Sequence, residues 1–154
     1  MINLIRIDER LVHGQVAFAW SVAYPSDAIL VMDPGAAGDS LQKQLLKLAC
    51  PKSMKCFVTD AEGGLHLLKK YGSKRFLVVA KHPKYALYLL ENGIQFDSLN
   101  VGGLYFKEDR KQITKTVYVD EETDDILRRI HGYGVYLDGR TTPRDNSLDL
   151  FTLL

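Results

Sequence analysis

Arg10, His13 and Gly14 stand at a spacing that can do chemistry. They lie in the stretch Arg6-Ile7-Asp8-Glu9-Arg10-Leu11-Val12-His13-Gly14-Gln15-Val16, where an apolar strand gives way to a helix. The first turn of a helix exposes backbone N–H groups that have no partner within the helix. Their partial positive charge makes an anion site. The same charge disfavours an imidazolium, and a neutral imidazole keeps a lone pair with which to attack. A phosphoryl group taken by His13 would face the free amides near Gly14 and Gln15, and the planar guanidinium of Arg10 would match its oxygens. Gly14, without a Cβ, lets a phosphate come close to the backbone. Asp8 or a nearby carbonyl could hold the second ring nitrogen and fix the tautomer. The bland alternative is a histidine that only starts a helix or sits on the surface.

Positioning these residues takes a strand before them and a helix after them. Ile2, Leu4, Ile5 and Ile7 form a short apolar run suited to a buried strand, and from Gly14 the spacing of Val16, Ala19, Trp20 and Ala23 becomes helical. The rest of the chain alternates in the same way. Further strands are predicted over residues 28–32, 54–59, 75–80, 99–102 and 134–138, with 113–119 as another strand at an edge or antiparallel. Asp39 or Ser40 caps a helix carrying Leu41, Leu45 and Leu48, and Asp60 caps one that turns Leu65 and Leu68 inward. Pro83 opens a helix that ends near Asn92, and Asp120 caps one whose Ile126, Leu127 and Ile130 face the core. The pattern predicts an α/β fold: a three-layer, open, mainly parallel twisted sheet with helices on both faces, in a single domain over 1–154. Open parallel sheets bind ligands beyond the carboxyl ends of their strands. That edge gathers Asp8 to His13, Asp33, Thr59-Asp60, Lys81-His82 and Gly102-Gly103.

Composition narrows the function classes. At 46% apolar and 25% charged residues, the chain can bury a core without disulfides or metals. A net charge of +1 gives no electrostatic case for nucleic acid or an anionic membrane. No apolar run approaches the ~20 residues needed to insert in a bilayer, and the N-terminus lacks a signal-peptide layout, so a cytoplasmic location is the expectation. Cys50 and Cys56, with five residues between them, fit neither zinc nor redox spacings and read as small apolar core residues. Without a Walker-type loop, a G-x-G-x-x-G or a G-x-S-x-G elbow, no nucleotide, metal or other cofactor is implied. Lys81 and His82 are minor candidates for phosphate, weighed against a solvated lysine and a surface histidine. Gly102 and Gly103 could let the backbone approach the His13 loop, or serve a tight turn.

The string over residues 6–16 closely resembles the phosphorylation-site motif of the IIB components of the mannose/sorbose class of the sugar phosphotransferase system. Asn100-Val101-Gly102-Gly103-Leu104, followed by Val117-Tyr118-Val119-Asp120-Glu121, resembles that family's glycine pair and the strand and acidic helix start after it. Ala80-Lys81-His82-Pro83 is similar to its segment of a basic or polar residue followed by proline. The resemblance spans nearly the whole chain. It implies a phosphotransferase component in which His13 is the phosphohistidine intermediate, loaded by a IIA protein or domain. The group then passes to a sugar entering through membrane IIC and IID partners, with the chain itself cytoplasmic and only peripherally associated with them. Arg10 matches the motif arginine and Asp8 its first acidic residue. No cofactor is needed, because the reactive bond arrives on the donor protein. Glu9 stands where Asp is common and Val12 where Ile is common. Residues 138–145 form a polar, basic turn in place of a more apolar strand leading to Pro and Asp. Two rival readings use the same residues: a small-metabolite enzyme with His13 as general base, and a non-catalytic module that binds an anion or a partner.

Overall fold

Six parallel strands make the central sheet of the computed structural model, which describes residues 1–154. The chain runs β1 (Ile2–Asp8), α1 (Gly14–Ala23), β2 (Ala28–Met32), α2 (Pro34–Ala37), α3 (Ser40–Ala49), β3 (Lys55–Thr59), α4 (Ala61–Lys70), β4 (Phe76–Ala80) and α5 (Pro83–Glu91). It continues through β5 (Ser98–Gly103), β6 (Lys111–Gln112), β7 (Tyr118–Val119), α6 (Glu121–Gly132) and β8 (Tyr136–Asp138), and closes with a 3-10 turn at Leu150–Leu153. The strand order is β3-β2-β4-β1-β5-β8. Every residue of β2 and β4 is buried, because helices cover both faces of these strands.

Side chains alternate between the two faces. Ile5, Ile7, Leu30, Val78, Leu99, Val101 and Leu137 join residues of α4, α5 and α6 in one apolar layer. Leu4, Ile29, Val31, Leu77 and Val79 meet Trp20 of α1, Ala36 of α2 and Leu46 of α3 on the other. That second face is divided. Over β2, β3 and β4 it is apolar, but over β1, β5 and β8 it carries Arg6, Asp8, Asn100 and Asp138, all buried. The candidate site grows from this polar half.

The predicted three-layer parallel sheet is the one that forms, and its departures from expectation have local causes. Residues 113–119 do not make a full strand. Ile113 N and Thr114 N both donate to Val117 O, closing a turn that leaves only the two-residue antiparallel pair β6–β7. Val117 then pairs with Leu104, just beyond β5. Helix α3 carries Leu41, Leu45 and Leu48 as expected, but all three are exposed and Leu46 alone is buried, because that helix covers the edge strand β3. Ala23 at the end of α1 is exposed as well, whereas Trp20 is buried. No helix is long and apolar enough to cross a membrane.

Asp33, Asp39, Asp60, His82 and Asp120 each cap a helix by accepting a hydrogen bond from a first-turn amide. Such a cap stabilises a helix by about 1 kcal/mol. Helix α1 is the exception. Its N-cap is His13, whose side chain makes no capping hydrogen bond.

Candidate functional site

β1 delivers Arg6 and Asp8 to the same sheet face, since residues two apart in a strand point the same way. Beyond Asp8 the chain turns sharply. Leu11 N donates to Asp8 O at 2.9 Å, Arg10 N to Asp8 Oδ1 at 2.9 Å, and Glu9 N to Gly103 O at 2.9 Å. The turn holds Leu11 at φ 59, the chain's one non-glycine residue in the left-handed region. That conformation costs roughly 1–2 kcal/mol. Burial of the Leu11 and Val12 side chains in the apolar layer beneath α1–α3 offsets it. Gly14 also takes a positive φ, 48°, and a Cβ there would meet nothing within 4 Å. Its backbone conformation is itself a reason for glycine at this position.

His13 ends the turn in extended conformation, with a quarter of its side chain exposed. Its Nδ1 lies 3.3 Å from Leu11 O. Its Nε2 is buried without a hydrogen-bond partner, 4.0 Å from Asp8 Oδ2. Of the two expected ring partners, the carbonyl is thus at hydrogen-bond distance and Asp8 is a longer electrostatic neighbour. The exposed Gln15 follows Gly14 in the first turn of α1.

Asp8 is fully buried and its oxygens are occupied. Arg6 Nη2 donates to Oδ2 at 3.1 Å, while Arg10 N and Tyr105 Oη donate to Oδ1 at 2.9 and 3.1 Å. Burial, followed by the neighbouring Asp8 charge, pushes the Tyr105 phenol above its ordinary pKa. Arg6 continues the network through Nη1, which donates to Asn100 Oδ1 at 2.6 Å and to Thr141 O at 3.2 Å. Burial draws the Arg6 guanidinium below its ordinary value, and Asp8 opposes that shift. Asn100 Nδ2 in turn donates to Asp138 Oδ2 and Arg140 O, and Arg140 pairs with Asp138 at 2.9 Å. The Trp20 ring has the Arg6 and Arg140 guanidiniums within 5.3 and 5.4 Å of its centroid. The polar tail that departs from the family pattern is therefore part of the support, because its Thr141 carbonyl receives Arg6.

The glycine pair is explained by this network. A Cβ on Gly102 would overlap the Arg6 guanidinium, and one on Gly103 would lie 2.7 Å from Asp8 Oδ1 and overlap the Tyr105 hydroxyl. These strand residues make room for the side chains behind the loop, and the Gly103 backbone also meets the loop, its carbonyl accepting from Glu9 N; they stand in a strand and not in a tight turn. Arg10, with a side chain 56% exposed, lies across the Tyr105 ring at 4.7 Å and holds Nε 3.9 Å from Asp8 Oδ1. Glu9 binds Arg110 Nη1 at 2.7 Å and Tyr105 N at 2.6 Å, tying the segment 105–110 to the loop. Burial pushes the Glu9 carboxyl upward, but the bonds from Arg110 and Tyr105 outweigh it and hold the pKa below the usual range.

Two minor candidates have other roles. Lys81 Nζ is paired with Asp33 Oδ2 at 3.9 Å. His82 caps α5, with Nδ1 accepting from Lys84 N at 3.0 Å and Nε2 3.2 Å from Thr123 Oγ1. No group of three or more His, Cys, Asp and Glu side chains is placed to hold a metal ion. Sequence reasoning missed Arg6, Asn100, Tyr105, Arg110, Asp138 and Arg140. A signal existed for Arg6 and Asp8, two charges on one face of an apolar strand.

The family model for the phosphotransferase-system sorbose-subfamily IIB component matches residues 2–154. A sorbose-specific EIIB component of Lacticaseibacillus casei is 34% identical over 152 residues, covering 97% of this chain and 93% of that protein. The crystal structure of the IIBSor domain of the sorbose permease from Klebsiella pneumoniae matches with a TM-score of 0.95 at 30% identity, covering 99% of this chain and 95% of its own. A mannose-specific EIIAB component of Escherichia coli K12 is 30% identical over 156 residues, and this chain spans 48% of that longer protein.

Proposed function

The chain belongs to the sorbose-subfamily IIB components of the phosphotransferase system, and from that premise we propose that it carries phosphoryl groups on His13. The donor is a phosphohistidine on a IIA protein or domain. The acceptor is a sugar hydroxyl presented by membrane IIC and IID subunits, to which this chain docks transiently from the cytoplasm. One observation carries the reading: His13 is the N-cap of α1 yet bonds none of its first-turn amides, so those donors have no side-chain acceptor. Each of the helices α2 to α6 has a side chain on them.

The accepting nitrogen is Nδ1. Nε2 is buried, which leaves Nδ1 as the nitrogen open to a donor, and the proton that Nδ1 shares with Leu11 O at 3.3 Å in the resting chain moves to Nε2, beside the Asp8 carboxylate, to free the attacking lone pair. Nδ1 attacks phosphorus as the donor's P–N bond breaks, and the donor imidazole departs with its electron pair. Charge spreads over the equatorial oxygens, so the protein's work is positioning and electrostatics. The amides at the start of α1 and the guanidinium of Arg10 supply it. In the second transfer a sugar oxygen bonds to phosphorus, the Nδ1–P bond breaks, and the hydroxyl proton is released. Asp8 acts through position, held by Arg6, Tyr105 and Arg10 N. The cavities of about 400 and 520 Å³ lie elsewhere on the molecule and are lined by residues other than Asp8, Arg10 and His13.

The test supplies phosphoenolpyruvate, enzyme I, the histidine phosphocarrier and a cognate IIA, then reads intact mass and maps the label. One acid-labile group of about 80 Da on His13 is expected, with none on a folded His13→Ala variant. Stoichiometric labelling of that variant would refute the assignment.

A further inference from the structure

The sulfurs of Cys50 and Cys56 lie 2.7 Å apart. Even unbonded carbon atoms rest at about 3.5–4.0 Å, and an S–S bond would need a further approach of only about 0.7 Å. The fold sets this proximity. Cys50 is the C-cap of α3, and Cys56 sits in β3 opposite Ile29 of β2. The five residues between them turn back through Met54 N, which donates to Pro51 O at 3.1 Å. Both thiols are free, and the chain has no third cysteine. Cys50 is buried and Cys56 is partly exposed on an edge strand, so Cys56 is the more accessible residue of the two. Neither residue takes part in the phosphoryl-transfer site.

We propose that Cys50 and Cys56 form a redox modification site, which a hydroperoxide closes to an intramolecular disulfide and a small thiol reopens. Cys56 is the attacking sulfur. The bond it accepts from Cys50 lowers its pKa, and Lys47 adds to this against the opposing effect of burial. The Cys50 thiol is pushed up, first by the same bond and then by burial. The Cys56 thiolate attacks a peroxide oxygen, the O–O bond breaks, and the leaving oxygen takes up a proton. Cys56 is then a sulfenic acid. Cys50 sulfur attacks Cys56 sulfur, the S–O bond breaks, and hydroxide leaves with the Cys50 proton as water. Two thiols are oxidised to one disulfide while the peroxide is reduced.

The experiment treats the reduced chain with hydrogen peroxide and follows intact mass and iodoacetamide-reactive thiols. A product about 2 Da lighter is expected, with both thiols lost together and both recovered with dithiothreitol. A cysteine about 16 Da or more heavier beside a partner that still alkylates overturns the proposal, as does a disulfide-linked dimer. Cys50→Ser is expected to stop at a sulfenic acid on Cys56 that dimedone traps. Cys56→Ser is expected to lose its remaining thiol at least ~10-fold more slowly than Cys50→Ser. Equal rates in the two variants overturn the assigned order. Should Cys50→Ser fail to fold, the wild-type mass change decides alone.

Discussion

Arg10 is held from two sides, by the Tyr105 ring below its guanidinium and by the Asp8 carboxylate beside its Nε, yet more than half of it is exposed. That suits a group that must meet phosphate oxygens arriving on another molecule. A lysine keeps the charge but loses the planar fork and the stacking. Arg10→Lys is expected to slow single-turnover transfer from the phosphorylated IIA donor by about tenfold, or ~1.4 kcal/mol of barrier. Its urea midpoint should stay close to wild type, because the side chain buries little. An unchanged transfer rate would remove Arg10 from the mechanism. His13 and Arg10 were legible in the sequence because the chemistry of a helix start singles them out. Tyr105 and Arg110 were not, because they reach the loop from a segment some hundred residues away through contacts that only the fold creates.

The strands around the loop show why a glycine pair stands at the end of β5. Arg6 needs volume as well as partners, and Gly102 supplies it by having no side chain. In Gly102→Ala the guanidinium must move, which strains its bonds to Asp8 and Asn100. Disrupting a buried charge network of this kind costs about 3–5 kcal/mol. The expected result is a lower urea midpoint with little change in slope, together with slower phosphoryl acceptance. Gly132→Ala is the control, since a Cβ there meets nothing and the residue ends a helix. A Gly102→Ala midpoint equal to that control would show that Arg6 has somewhere else to go. Element boundaries were legible where an aspartate capped a helix, at Asp39, Asp60 and Asp120. They were poorly legible where packing decides. The spacing of Leu41, Leu45 and Leu48 is helical, but an edge position leaves these leucines outside the core.

Across the whole molecule, the carboxyl edge of the sheet was correctly assembled from sequence, but its members divide between chemistry and architecture. His82 shows the division. It joins the starts of α5 and α6, with Nδ1 accepting from Lys84 N and Nε2 facing Thr123 Oγ1. Only a neutral ring can accept at Nδ1, so the geometry requires the proton on Nε2. Burial and then Lys84 lower the His82 pKa, with Arg110 adding to them and Glu122 and Asp120 opposing. The consequence for stability has a definite sign. Above the unfolded value of about 6.5, both states are neutral and His82 adds no pH dependence. As pH falls below that value the unfolded chain takes up a proton that the folded chain refuses, so stability is lost. The loss continues until the pH reaches the lowered folded value. Asparagine keeps a capping acceptor and does not titrate. In His82→Asn, urea midpoints measured from pH 7.5 to 5 should therefore fall less than in wild type, so that the difference between the two shifts in the variant's favour as the pH drops. His13 phosphorylation should be retained at neutral pH, because no hydrogen bond joins His82 to the loop. Parallel midpoint curves would place the proton on the folded His82, and with it a helix cap that opens in acid.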